Sequence, residues 1–211
     1  MAVSSDNGVI EVAFVASIFS ALGALFILLN WMCVRSSRIF FLKLIVYLCI
    51  ANLLSSASYI MAFVDTRPSA LHGPCADAYS GKTVHMTDET CAPSVPCVVQ
   101  AGTLVVFETA SVLWTIAIAF TLHQQVVAKR ADVERLEPWY HLLCWGVAVA
   151  IAVALLCTDR LGPADDSPTA WCWIRGVSFS DTQHEPTIEH LVQVGAFYAP
   201  LAVAFVYNLL T

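Results

Sequence analysis

Charge is scarce in this sequence: Lys, Arg, Asp and Glu make up 12% of the 211 residues, while 58% are apolar and the mean hydropathy is +0.72. So little polar surface cannot wrap a water-soluble globule of this length. Other absences narrow the field. Met1–Gly8 has no basic residue, and the apolar stretch behind it is too long for a cleavable signal, so the first apolar run reads as an uncleaved anchor. There is no Asn-x-Ser/Thr acceptor, no Gly-x-Ser-Gly string and no His-Glu-x-x-His string. His123, His141, His184 and His190 do not recur at helical ligand spacing, and His184, Glu185 and His190 offer at most a loose zinc set. No catalytic residue, cofactor or metal is therefore assigned, nothing points to nucleic acid, and no internal repeat is visible.

What the sequence does contain is five long apolar stretches: Val9–Val34, Phe41–Val64, Cys97–Val127, Trp139–Cys157 and His190–Thr211. Each can cross a hydrocarbon core about 30 Å thick, which takes about 20 residues in a helix. The expected fold is an all-α membrane protein, one transmembrane helix bundle over residues 1–211. The fifth stretch runs into Thr211 with no basic anchor behind it, so the chain reads as incomplete. Six of the ten basic residues sit in two short connectors, Arg35, Arg38 and Lys43 in one and Lys129, Arg130 and Arg135 in the other. Basic residues near span ends stay cytoplasmic. The amino terminus is therefore expected outside, in a multi-pass protein of the plasma membrane. The longer connectors Thr66–Pro96 and Thr158–Glu189 then lie outside, and their seven prolines predict irregular structure.

The cysteines sort by compartment under that topology. Cys75, Cys91, Cys97 and Cys172 fall on the oxidising side, while Cys33, Cys49, Cys144 and Cys157 lie within spans. Four outer cysteines permit three pairings or none. A bridge from Cys97 to Cys172 would pin the second outer loop over the bundle mouth, and Cys75 with Cys91 would then close the first outer loop on itself.

Polar residues inside the spans carry the next signal, because a polar group facing lipid is costly and turns toward the bundle. Asn52, Ser55, Ser56 and Tyr59 share one face of the second span. Glu108, Ser111 and Thr115 share a face of the third, with Gln100 and Thr103 above them, so a polar track descends from the outer mouth. Glu108 stands out, since the spans hold no Lys or Arg to pair with it except Lys43, at the very start of the second. It is expected to be a ligand- or proton-sensing group or a structural carboxyl, and the hydroxyls to bind ligand or merely to tie helices together. Ala16, Ser20 and Ala24 in the first span, and Gly146 among alanines in the fourth, predict close helix approach. Pro200 should kink the fifth span and is a candidate hinge.

Several strings carry a resemblance. Leu44–Ser56 (Leu-Ile-Val-Tyr-Leu-Cys-Ile-Ala-Asn-Leu-Leu-Ser-Ser), Ala110–Ala119 (Ala-Ser-Val-Leu-Trp-Thr-Ile-Ala-Ile-Ala), Trp171-Cys-Trp-Ile174, and Phe197-Tyr-Ala-Pro-Leu201 followed by Tyr207-Asn208 resemble the cyclic-AMP-receptor-like receptors, the class E group related to the secretin-like class. The resemblance implies a G-protein-coupled receptor, with an extracellular ligand, a heterotrimeric G protein at the inner loops around Lys129, Arg130 and Arg135, and a possible receptor dimer in the bilayer. It implies a bridge between Cys97 and Cys172, and Asn52 matches the polar position of the second helix. The inner end of the third span reads Thr121-Leu-His-Gln-Gln-Val-Val127 in place of the Asp/Glu-Arg-Tyr string of rhodopsin-like receptors, which disfavours that larger class. Spans six and seven of the seven-span fold are not in this sequence. The alternatives are a proton-coupled or small-solute transporter using Glu108, and a truncated isoform that does not signal.

Overall fold

The computed structural model describes residues 3–33, 40–64, 95–129, 132–163, 172–174, 195 and 198–210. Helix α1 runs Val3–Cys33, α2 Phe40–Val64, α3 Val95–Val126, α4 Glu137–Cys157 and α5 Ala199–Leu210. Among the described residues four segments are long and apolar enough to cross a membrane: Val12–Cys33, Phe40–Met61, Val95–Val126 and Val133–Cys157. The chain is a multi-pass membrane protein. Of the fifth expected span, the described part is α5 together with Gly195 and Tyr198, which are wound as π-helix. The wider winding lies just before Pro200, whose missing N–H removes a regular helical bond and is accommodated by such a bulge.

Helix α3 is the hub, packing against α2, α4, α5 and both strands, while α1 packs on α2. Two apolar clusters result. One, away from the strands, gathers Phe40, Leu44, Ala51, Trp114, Cys144 and Ala148. The other joins Cys97, Ala101 and Val105 of α3 to Leu155 of α4 and to Leu161, Cys172 and Ile174. Large side chains such as Phe19, Phe26, Met61, Leu142 and Val153 are exposed, the arrangement required of helices whose outer surface meets lipid tails.

Three sequence expectations change in register or in kind. Of Ala16, Ser20 and Ala24, only Ala24 is buried, Ala16 and Ser20 face outward, and Ser17 is buried in their place. Ser17 can be buried because its hydroxyl donates to the Ala13 carbonyl at 2.8 Å. Gly146 likewise faces outward, with nothing but its own helix's Leu142 near the place of a Cβ. The small residues that let α4 approach α3 are Cys144, Ala148 and Ala152, one every fourth position. Lastly, the second long connector is not wholly irregular. Strands β1 (Leu161–Pro163) and β2 (Cys172–Ile174) pair antiparallel, with Leu161 opposite Ile174 and Pro163 opposite Cys172. Alternation accounts for β2: Cys172 and Ile174 point inward onto α3 while Trp173 between them is half-buried.

A short 3₁₀ turn, Val133–Leu136, leads into α4. Pro138 sits in the first turn of α4, where its absent N–H leaves no helical bond unmade.

Candidate functional site

Polar side chains of α2 and α3 meet in a seam between the two helices. The two helices run antiparallel, so residues three apart on one meet residues three apart on the other. Ser111 Oγ donates to Asn52 Oδ1 at 2.7 Å, and one turn nearer the strands Ser55 Oγ donates to Glu108 Oε1. Further toward the strands Ser58 Oγ lies 3.2 Å from Thr103 Oγ1 and 3.1 Å from the Leu54 carbonyl of its own helix, its one proton shared between the two acceptors. Thr103 in turn donates to the Gln100 carbonyl, and the Gln100 amide reaches the Ser58 carbonyl at 3.4 Å. Ser55, Ser56, Ser58 and Gln100 are buried, while Asn52, Tyr59, Glu108 and Ser111 are half-buried on the open side of the seam. Thr115 departs from the expected track. It is exposed and turns its hydroxyl onto the Ser111 carbonyl of its own turn.

Gln100 deserves separate notice because its Oε1 is buried with no hydrogen-bond partner among the described residues, although the residue is only 3% exposed. An unpaired buried acceptor costs about 1–3 kcal/mol, so this oxygen is primed to accept a bond from a water or a ligand. Ser58, which sequence reasoning left out of the α2 stripe, is the residue that positions it. Its spacing from Ser55, three residues along the same helix, is the signal that could have found it.

The strands pack on α3 near the Gln100 end of the seam. Cys97 at the start of α3 is bonded to Cys172 on β2, with the Cα atoms 5.3 Å apart, a separation natural to a disulfide. Both cysteines are fully buried. Cys75 and Cys91 lie outside the described residues, as do Arg130, His184, Glu185 and His190. Cys33 and Cys157 are exposed free thiols, and Cys49 and Cys144 are buried ones. A groove of 320 Å³ between α3 and α4 is walled by Val98, Val106, Val153 and similar groups, with Thr103 its single hydroxyl, so it offers lipid-like contact and little polar recognition.

A second constellation, which sequence reasoning missed, lies at the far end from the disulfide. Tyr47 of α2 donates its hydroxyl to Glu137 Oε1 of α4 at 3.0 Å, and Lys43 one turn earlier stands 3.6 Å from the same carboxylate. His141 of α4 sits edge-on to Tyr47, ring centroids 4.4 Å apart, and to Trp114 of α3, 5.1 Å apart. Thr121 Oγ1 and the Tyr140 hydroxyl close this end at 3.1 Å. Lys43 and Tyr47 at i and i+4, with the acidic Glu137 in the first turn of α4, form the sequence signal. Lys129 and Arg135 are exposed on the connector beside this cluster. Lys43 is 41% exposed, so its ion pair adds little. Tyr47→Phe is expected to lower stability by about 1 kcal/mol through the lost hydrogen bond. A thermal melt in lipid nanodiscs checks this, and an unchanged midpoint would show that the hydroxyl does not tie α2 to α4.

Comparison with known proteins follows this geometry. The sequence profile of the slime mold cyclic AMP receptors matches residues 1–209. The chain is 31% identical over 196 residues to G-protein coupled receptor 1 of Arabidopsis thaliana, covering 92% of this chain and 47% of that protein. It is 33% identical over 135 residues to G-protein coupled receptor 157 of Rattus norvegicus, 63% of this chain and 34% of that one. It is 27% identical over 126 residues to Cyclic AMP receptor 1 of Dictyostelium discoideum, 60% and 28% of the two chains. The chain thus spans half or less of the length of these relatives. A profile matching nearly every residue, on a helical membrane bundle with a disulfide-pinned hairpin, leads to one conclusion: this chain belongs to the slime mold cyclic AMP receptor family.

Proposed function

We propose that this chain supplies five spans of a seven-span G-protein-coupled receptor in the plasma membrane, with the amino terminus and the disulfide-bonded hairpin outside. The observation that carries this reading is the α2–α3 seam: hydrogen-bonding side chains lead from beneath the Cys97–Cys172 hairpin to Glu108, half-buried on the seam's open side. A small extracellular ligand would enter under the hairpin and accept or donate bonds at Gln100, Tyr59 and Glu108. The disulfide supports the orientation, since such bonds persist on the oxidising side of a membrane, and exposed Lys129 and Arg135 at the opposite end suit the cytoplasm.

In this reading the ligand favours one of two bundle arrangements, and a G protein at the Lys129–Arg135 connector senses the choice. The slime mold cyclic AMP receptors to which the chain is similar make cyclic AMP the first ligand to try. A phosphate would need Arg or Lys nearby, and Arg160 is the basic residue described at that mouth.

The test is ligand-stimulated guanine-nucleotide exchange in cells expressing the whole receptor that contains this chain. Gln100→Leu and Asn52→Leu are expected to raise the half-maximal ligand concentration at least about tenfold, the equivalent of one lost bond of about 1.4 kcal/mol, while leaving surface delivery intact. A response unaltered in both variants would place the ligand elsewhere. Proton flux through vesicles holding the purified chain, lost in Glu108→Gln, would favour the transporter reading instead.

A further inference from the structure

We infer that the groove between α3 and α4 is a sterol site, taking the flat fused-ring body of a membrane sterol from the leaflet on the hairpin's side. The groove holds 320 Å³, a volume within the range of small-molecule sites. Its walls exclude ions and polar ligands: no charged side chain lines it, and its single hydroxyl, on Thr103, already donates to the Gln100 carbonyl at 2.8 Å. The occupant must also arrive through the bilayer. Val99, Val149, Val153 and Leu156 border the groove and are exposed on membrane-spanning helices, where lipid is the solvent.

Length and stiffness select a sterol over an acyl chain. The lining residues of α3 run from Val98 to Phe107, a rise of about 13 Å, close to half of a hydrocarbon core about 30 Å thick. A rigid body one leaflet long fits that reach, with its hydroxyl level with exposed Thr158, two residues beyond Leu156 at the end of α4. Gly102 and Ala152 put no long side chain into the groove, and valines of both helices form its sides. A valine in a helix holds one preferred rotamer, so the trough stands before anything binds and its walls lose little freedom on binding. A fused-ring body is rigid in the same way, whereas a flexible tail would give up its torsional freedom to lie against so shallow a wall.

This inference stands on the bundle and not on the receptor reading, and its test needs neither agonist nor G protein. The full chain, purified into phosphatidylcholine nanodiscs, is irradiated with a cholesterol analogue that carries a photoactivatable diazirine on its rings. Saturable labelling of the groove residues, displaced by unlabelled cholesterol, is expected. Val153→Trp, at an exposed position, and Gly102→Leu, where a Cβ meets only the Leu161 side chain at 3.7 Å, fill the groove from either helix and should abolish labelling. Val149→Ala should weaken sterol affinity about fivefold through two lost methyl contacts, and Leu142→Trp, exposed on α4 outside the groove, should leave it unchanged. Absence of saturable labelling in the unmodified chain overturns the inference, as does labelling that survives both filling variants. A diazirine on a phosphatidylcholine tail that marks the same residues undiminished by cholesterol would assign the groove to acyl chains, and crosslinks from it to a second copy would assign it to a dimer interface; either result overturns the sterol site. Should neither filling variant fold, Val149→Ala decides: undiminished sterol affinity overturns the site.

Discussion

Cys172→Ala is expected to lower the melting temperature of the purified chain by roughly 8–16 °C. The bridge joins residues 75 apart in sequence. In the chain-entropy account, closing a loop of that length restricts the unfolded ensemble by about 4 kcal/mol, and each kcal/mol moves the midpoint of a chain this size by about 2–4 °C. The packing around the bond points the same way. Cys97 and Cys172 are both fully buried in the cluster that seats Ile174 and Leu161 on α3 and α4. Without the bond only those apolar contacts hold the hairpin to α3 and α4. Reducing agent should reproduce the loss in the unmodified chain and add nothing in the variant. A variant melting within about 2 °C of the unmodified chain would mean that apolar contacts alone hold the hairpin down.

Trp114→Ala should be nearly as damaging, at about 3–5 kcal/mol, the range for a buried large aromatic truncated in a core. Trp114 is fully buried where α2, α3 and α4 meet. Its ring lies 5.0 Å from Tyr47, 5.1 Å from His141 and 6.3 Å from Trp145, so one residue on α3 organises aromatic groups from both neighbouring helices. Tilted and edge-on pairs at these separations each contribute about 0.5–1.5 kcal/mol beyond buried area. The indole N–H finds no acceptor among the described residues, so shape and ring contact hold it there. Trp114→Phe, which keeps a ring and loses no hydrogen bond, should recover at least half of the stability. Equal melting of the alanine and phenylalanine variants would assign the loss to something other than the aromatic cluster.

Membrane insertion was legible in the sequence because it depends on composition over about 20 residues, and no tertiary partner can make such a stretch soluble. The polar faces of α2 and α3 were legible for a similar reason: spacing of three and four residues is a property of a single helix. Which residue on a face meets which partner is not. Ser17 rather than Ala16 and Ser20 joins Ala24 in being buried on α1, and Ala148 rather than Gly146 is buried on α4, because the rotation of each helix about its axis is set by the surfaces it packs against. Thr115 continues the spacing of Glu108 and Ser111, yet it lies exposed beyond the contact with α2 and bonds to its own turn.

The strands show the same division. Pro163 and its neighbours in sequence signal a loop, and only pairing with Cys172–Ile174, under the bond to Cys97, turns part of that loop into a ribbon. Tyr47, Glu137, His141 and Trp114 come from three helices and up to 94 positions of sequence, so no local pattern announces their meeting. The sequence by itself determined the solvent in which this protein folds, its helical spans and the faces on which its polar groups lie. The tertiary structure alone decided which of those groups touch, since long-range contact depends on helix rotation and depth, quantities shared between helices and encoded in none of them singly.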